Sequence, residues 1–165
     1  MRTSTTRVVW LSTALVVATA GVVAGSREVQ QSAPPTHVMV TPADLKWGEG
    51  LASLPPGTQA AVVEGNPANP GLFTLRLKLP ANYKIPAHWH PADEHVTVIS
   101  GTLYMGMGDT LDESKGKALS AGSFAVMPTK VNHFAFTKGE TTLQIHGMGP
   151  WGITYVNPAD DPRKK

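Results

Sequence analysis

The segment Phe73–Leu79 alternates strictly between apolar and polar side chains, and this pattern constrains the fold more than any other feature of the chain. Its apolar residues occupy every second position, with Thr, Arg and Lys between them. Successive side chains of a strand point to opposite faces, so the pattern predicts a strand with one buried and one solvated face. The residues predicted to face the core are Phe73, Leu75, Leu77 and Leu79.

Similar short segments follow along the chain, separated by turns rich in Gly, Pro and Asn. Thr41-Pro42 offers an N-cap followed by proline at the first helical position, which predicts one helical turn, and residues 48–57 are predicted to form a loop. Many short strands with little helix are typical of an all-β antiparallel sandwich or barrel. The other predicted strands are 60–64, 83–90, 95–100, 102–107, 117–120, 123–127, 132–137, 141–146 and 152–156.

Composition narrows the possible functions. The 165 residues contain no cysteine, which excludes disulfides, thiolate ligands and a cysteine nucleophile. The formal charge of +2 comes from Arg2 and Arg7, because the chain after residue 24 has 12 basic and 12 acidic residues. This balance does not support a nucleic-acid partner or binding to a membrane surface.

Residues 1–24 have the pattern of an export signal, with Arg2 and Arg7 ahead of an apolar run and small residues near Ala20 and Ala24. An uncleaved membrane anchor is the alternative, although the run is short for a spanning helix. After cleavage the protein would be periplasmic or secreted, with no membrane attachment. The predicted organisation is a signal at 1–24, a linker and N-terminal extension at 25–58, a barrel at 59–157 and a polar tail at 158–165.

Residues whose side chains can bind a metal are concentrated in the stretch 82–101. His88 and His90 are two apart on a predicted strand and therefore share a face, whereas His95 faces away from its neighbour Glu94. After the turn at 91–93, Glu94 can direct its carboxylate towards the two histidines. Two neutral imidazoles and a carboxylate suit a divalent transition metal.

The stretch 122–137 adds His133 after a proline turn, and together the two stretches resemble the paired motifs of the cupin superfamily. The motifs are G-x5-H-x-H-x3,4-E-x6-G and G-x5-P-x-G-x2-H-x3-N, and the matching positions are His88, His90, Glu94, Gly101, Gly122, Pro128 and His133. Asn82, Lys130 and Thr137 depart from the motifs. If the turn at Lys130 needs a left-handed residue, lysine costs about 1–2 kcal/mol there.

The resemblance implies a single cupin jelly-roll barrel with a metal held by His88, His90, Glu94 and His133. Such a ligand set leaves one or two positions open for a ligand, and it suits Mn, Fe, Zn or Ni without selecting among them. Some cupins bind no metal, so a metal-free barrel is the contrary hypothesis. The resemblance also implies a homodimer, which light scattering tests.

Two further residues are candidates for proton transfer at the centre. His146 would serve if the polar face of its strand lines the cavity, with solvent exposure of that face as the equal alternative, and Tyr104 is the second candidate. The candidate pocket wall comprises Trp89, Phe124, Met127, Phe136 and Trp151.

The resulting hypothesis is an exported metal-dependent cupin that binds a small oxygen-bearing molecule, as an oxidase, dioxygenase or isomerase. A non-catalytic sensor or small-ligand-binding module is the alternative, similar to the zinc-binding cupin domains of some anti-sigma factors. The sequence contains no G-x-S-x-G motif and no H-E-x-x-H motif, so nothing indicates a serine hydrolase or a zinc protease of those types.

Overall fold

In the computed structural model, residues 37–165 are described. The predicted export signal at 1–24, the anchor alternative and the first part of the predicted linker lie outside the described residues. Within 37–165, no helix has the length and apolar character needed to cross a membrane.

Two antiparallel sheets face each other, as the alternating patterns predicted. The strands are β1 (Gly48–Glu49), β2 (Gln59–Glu64), β3 (Gly71–Leu79), β4 (Lys84–Trp89), β5 (Glu94–Ser100), β6 (Thr102–Met107), β7 (Lys117–Ser120), β8 (Phe124–Met127), β9 (His133–Thr137), β10 (Thr141–Gly149) and β11 (Thr154–Tyr155). The first sheet has six strands in the order β1-β2-β3-β10-β5-β8, and the second has five in the order β11-β4-β9-β6-β7. The described part of the chain is therefore all-β, with the jelly-roll fold predicted from the sequence.

The core lies between the sheets and is formed by alternate strand residues. On β3, Phe73, Leu75, Leu77 and Leu79 are each no more than 2% exposed, which confirms the prediction from alternation. β3 pairs with β10 along the whole of both strands. Burial of these large apolar side chains, each contributing roughly 1.5–3 kcal/mol, is the main driving force for closing the two sheets on each other.

Strand β4 contains an irregularity that determines which side chains face the interior. Its pairing with β9 advances from Ile85↔Ala135 to His88↔His133, so three residues of β4 oppose two of β9. Such a bulge shifts the alternation by one position, so Ile85 and His88 both face inward. Pro86 lies inside it, where the missing backbone N–H does not interrupt a regular ladder.

The segments outside the predicted barrel also pack against it. The predicted helical turn forms at Pro42–Asp44. The region predicted as a loop contains β1, which pairs with β2, and Leu54 from this region is only 4% exposed in the core. At the carboxyl end, the Arg163 guanidinium donates to the Ile153 carbonyl oxygen at 3.0 Å.

The three departures from the cupin motifs occur at structurally demanding positions. Asn82 (φ 57°) and Lys130 (φ 61°) both adopt the left-handed conformation that glycine favours. Thr137 replaces asparagine and uses its hydroxyl twice, donating to the Pro80 carbonyl oxygen at 2.6 Å and accepting from the Tyr83 N–H at 3.1 Å. The turn geometry of the motifs is therefore present although the residues differ.

Replacing Lys130 with glycine should stabilise the metal-free protein by roughly 0.5–1.5 kcal/mol, because it removes the left-handed strain while glycine's unfolded-state entropy offsets part of the gain. The side chain is exposed, and the backbone N–H that donates to the His90 carbonyl oxygen at 2.9 Å is retained. Urea unfolding measures the change. Lys117→Gly in β7 is the matched control and should destabilise. A Lys130→Gly variant no more stable than the original chain would contradict the strain assignment.

Candidate metal centre

Four polar side chains from both sheets converge at one end of the sandwich. His88 lies on β4, His90 follows that strand, Glu94 begins β5 and His133 begins β9. One ring nitrogen from each histidine lies within 4.8 Å of the others. The Glu94 Oε2 atom is 3.3 Å from His90 Nε2 and 3.7 Å from His133 Nε2. The four residues that the two sequence motifs single out are thus brought together, each at most 5% exposed.

Backbone carbonyls fix the orientation of all three imidazoles. The Nδ1 atoms of His88, His90 and His133 lie 2.7, 2.8 and 2.9 Å from the carbonyl oxygens of Pro86, Gly152 and Val131, respectively. A carbonyl oxygen can only accept, so each Nδ1 carries the proton and donates it. When the ring is neutral, each Nε2 is then left with a free lone pair, which is the tautomer that a metal-ligating histidine adopts.

The inward-facing nitrogens have no partner of their own. The Nε2 atoms of His90 and His133 are fully buried and make no hydrogen bond within the described residues. Although Glu94 Oε2 lies close to both, a lone pair and a carboxylate oxygen are both acceptors and cannot bond to each other. An arrangement of buried acceptors facing one another becomes favourable when a proton or a metal cation lies between them. The three buried histidines could therefore bind a metal ion.

Burial keeps these groups in the protonation states that bind metals. Burial, followed by the charges of His133 and His90, lowers the pKa of His88 to about 3. Burial also lowers the pKa of His133. Two neutral imidazoles are thus present at neutral pH, as metal binding requires.

The four residues line a cavity of about 30 Å³ between the sheets. This volume accommodates roughly two water-sized groups. Trp151 also lines the cavity, and the rest of the wall is apolar, with Leu77, Val96, Leu103 and Ile145 among its residues. A group bound here would lie in a dry, low-dielectric site in which electrostatic interactions are stronger than in water.

Of the five residues predicted to form the pocket wall, Trp151 lines the cavity. Trp89 is half-buried on the opposite face of β4 from the two histidines, and Phe124 is 55% exposed on the outer face of the six-stranded sheet. Met127 and Phe136 are buried but line no part of the cavity. These four residues therefore lie outside the lining of this cavity, and apolar character alone did not indicate which face of its strand each side chain occupies.

The two residues predicted to transfer protons also lie away from the centre. His146 pairs with His95 on the outer face of the six-stranded sheet, where their rings stack at 4.8 Å. Tyr104 lies on the outer face of β6 and stacks on Phe136 with 4.9 Å between ring centroids. Strand alternation places both side chains outside the cavity, so neither is in position to serve the centre, and for His146 the solvated alternative holds.

Sequence reasoning missed two parts of the wall. Leu54 comes from the region predicted as a loop, and Ile153 lies just before β11; both line the cavity. The apolar pair Leu51 and Leu54 in an otherwise polar loop is a signal that could have identified the first. The carbonyl of Gly152, which orients His90, has no signature in the sequence.

Comparisons with known proteins identify the family. A family model described as "Domain of unknown function (DUF4437)" matches residues 31–153. A germin-like protein of Arabidopsis thaliana, subfamily 3 member 2, is 32% identical over 108 residues, which cover 61% of this chain and 46% of that protein. The chain thus spans less than half the length of this relative.

Solved structures with low sequence identity share the fold. The polyketide cyclase RemF from Streptomyces resistomycificus superposes with a TM-score of 0.64 at 15% identity, over 78% of this chain and 92% of that one. An RmlC-like cupin from Shewanella frigidimarina superposes with a TM-score of 0.53 at 14% identity, over 68% of this chain and 91% of that one. These similarities place the architecture among the cupins.

The metal-free protein should lose stability as the pH falls from about 6.5 to 3. Because the pKa of folded His88 is about 3 against an ordinary 6.5, the unfolded chain binds a proton in this range that the folded chain does not. The contribution from His88 is on the order of 3–5 kcal/mol. Urea unfolding at a series of pH values measures it.

A His88→Asn variant should show a correspondingly shallower pH dependence in the same experiment, since asparagine does not titrate. Parallel pH profiles for the variant and the original chain would contradict this origin of the acid sensitivity.

Proposed function

Because this chain belongs to the DUF4437 family and is a member of the cupin superfamily, we propose that it is a metal-dependent cupin that binds a small oxygen-bearing ligand. The metal would be held by His88, His90, Glu94 and His133. The ligand would occupy the space that remains in the cavity lined by these residues.

One observation carries this proposal. Three imidazoles donate their Nδ1 protons to backbone carbonyls and present free Nε2 atoms to a common point beside a buried carboxylate. A histidine with a merely structural role would be expected to use both ring nitrogens in hydrogen bonds within the protein. Here the Nε2 atoms of two of the three are buried without a partner, which supports a cation as the missing component.

The ligand set suits Mn, Fe(II), Zn or Ni, all of which accept mixed nitrogen and oxygen ligands. When bound, such an ion supplies a Lewis acid or a redox centre with one or two positions open to a ligand. The carbonyls of Pro86, Val131 and Gly152 hold the imidazoles in position, and the apolar wall excludes bulk water.

The residues that line the cavity also help to choose between an enzyme and a binding module. Apart from the proposed ligands, no carboxyl, imidazole or hydroxyl group of residues 37–165 lines the cavity. A reaction needing a separate general acid or base is therefore disfavoured. Chemistry centred on the metal, as in an oxidase or dioxygenase, remains one form of the proposal. A binding or sensing module without turnover is the second, and the lack of a catalytic acid or base favours it.

Replacing His90 with alanine should abolish stoichiometric metal binding, because it removes one ligand and leaves the Glu94 carboxylate less well compensated. Metal content is measured by plasma mass spectrometry after purification without chelator or nickel resin. Metal in the variant should fall to roughly a tenth or less of one equivalent per chain.

His146→Ala is the matched control, since His146 lies on the outer face and should not affect metal content. Full metal binding by His90→Ala would refute the ligand assignment. No metal in the original chain, even after reconstitution, would refute the metalloprotein proposal itself.

The same measurement directs the choice between functions. One equivalent of manganese or iron would favour redox chemistry, and one equivalent of zinc would favour isomerisation, hydrolysis or sensing. Metal-loaded protein is then incubated with a panel of small carboxylates and diketones, with oxygen consumption and product formation monitored alongside ligand affinity. Ligand binding without turnover would support the sensing module.

The proposal also includes two predictions made from the sequence, export of the protein and its homodimerisation. The intact mass of protein recovered after expression with the full chain should correspond to cleavage after Ala20 or Ala24. A mass that includes the N-terminal segment would favour the anchor alternative.

A further inference from the structure

Trp151 occupies a distinctive position beside the proposed metal centre. Its ring stacks on the His90 imidazole, with 4.6 Å between centroids and an angle of 18° between planes. The ring of Phe73 packs nearby, with 5.5 Å between centroids. The backbone N–H of Trp151 donates to the Pro67 carbonyl oxygen at 2.7 Å, which fixes the residue in place. Trp151 is therefore held firmly against a residue of the centre.

The indole nitrogen of Trp151 lacks a partner. The side chain is 8% exposed, and its Nε1 atom is fully buried with no hydrogen bond within the described residues. A buried donor left unsatisfied costs about 1–3 kcal/mol, and buried tryptophan N–H groups usually find an acceptor. This donor requires an acceptor that the described residues do not provide.

The surroundings limit where that acceptor can come from. Trp151 lines the 30 Å³ cavity, whose other polar groups are the three imidazoles and the carboxylate of the proposed centre. With the metal bound, these groups are engaged in coordination. An oxygen atom of a ligand in the cavity would satisfy the indole N–H and would introduce an acceptor into an otherwise apolar wall.

We propose that Trp151 determines the ligand specificity of this centre, by donating a hydrogen bond from its indole N–H to an oxygen atom of the bound ligand. This inference rests on the proposed metal-dependent function. It specifies a small ligand with at least two oxygen atoms, such as a carboxylate, of which one oxygen occupies the open position and another accepts from Trp151. The cavity volume restricts the part of the ligand that it encloses to a few heavy atoms.

Trp151 also lines a surface pocket of about 290 Å³, together with Gly152, Ser53, Pro67 and Arg163. Trp151 thus forms part of the wall of both spaces.

Trp151→Phe tests the proposal, because phenylalanine keeps an aromatic ring against His90 but has no N–H. Formate is the probe, and its dissociation constant is measured from the visible absorption of the cobalt(II)-loaded protein. The variant should bind formate roughly 10- to 100-fold more weakly, as expected for loss of a hydrogen bond to a charged group. Its affinity for cobalt should stay within about twofold, since the metal ligands are intact.

Trp89→Phe is the matched control, because Trp89 lies on the opposite face of β4 and should leave formate binding unchanged. If Trp151→Phe binds cobalt and formate as tightly as the original chain, the role of Trp151 is refuted while the metal site stands. If the original chain binds no metal, the proposed function fails first.

A direct readout on the original chain keeps the test decisive if the variant does not fold. In protein labelled with nitrogen-15 at tryptophan and loaded with zinc, formate should shift the indole proton resonance of Trp151 downfield and leave that of Trp89 in place. The Trp151 signal is assigned from its absence in the variant, or by its proximity to His90 in nuclear Overhauser spectra. An unmoved Trp151 resonance at saturating formate would overturn the proposal.

Discussion

The arrangement of this end of the molecule depends on one electrostatic constraint, the burial of the Glu94 carboxylate among imidazole nitrogens that cannot donate to it. Each imidazole has committed its proton to a backbone carbonyl, at Pro86, Gly152 or Val131. The carboxylate and the free nitrogens are therefore all acceptors within a few ångströms of one another. Leaving such groups uncompensated is costly, and the three buried histidines could bind a metal ion that compensates them.

The fold maintains this constraint by drawing the four groups from both sheets. His88 and His133 are direct cross-strand partners in the five-stranded sheet, whereas Glu94 opens a strand of the six-stranded sheet. The core between the sheets, including the inward face of β3, fixes their separation. Core packing and site geometry are therefore coupled, and a substitution that shifts one sheet against the other would alter the distances among these four groups without replacing any of them.

Much of this could be predicted from sequence because the signals are local. The alternation from Phe73 to Leu79 predicted its buried face correctly, and the spacing of His88, His90 and Glu94 identified residues that the fold brings together. Simple alternation along β4 would have placed Ile85 and His88 on opposite faces. The bulge at Pro86 turns both side chains to the same face. A bulge is detected through the pairing with the neighbouring strand, which a single sequence does not reveal.

The predicted site residues that lie away from this cavity share a physical cause. Tyr104 and Phe124 are aromatic residues on strands, and which face each occupies depends on registers set by distant partners. For His146, polar alternation left two equal alternatives, and its pairing with His95 on the outer face decides between them. Trp151 lines the cavity, but its stacking on His90 and its unpartnered nitrogen are tertiary properties with no local signature.

The left-handed turns show how strongly the site determines the backbone. Lys130 adopts a conformation unfavourable for its side chain, yet its N–H donates to the carbonyl oxygen of His90 at 2.9 Å and so joins the second motif to the first. Asn82 is left-handed at the opening of the first motif, where the Thr137 hydroxyl binds the neighbouring Pro80 and Tyr83 backbone. Strain of this kind persists only where surrounding contacts hold it in place. In this chain those contacts include a residue of the proposed metal centre, so the local cost at Lys130 is offset by the hydrogen bond that positions His90.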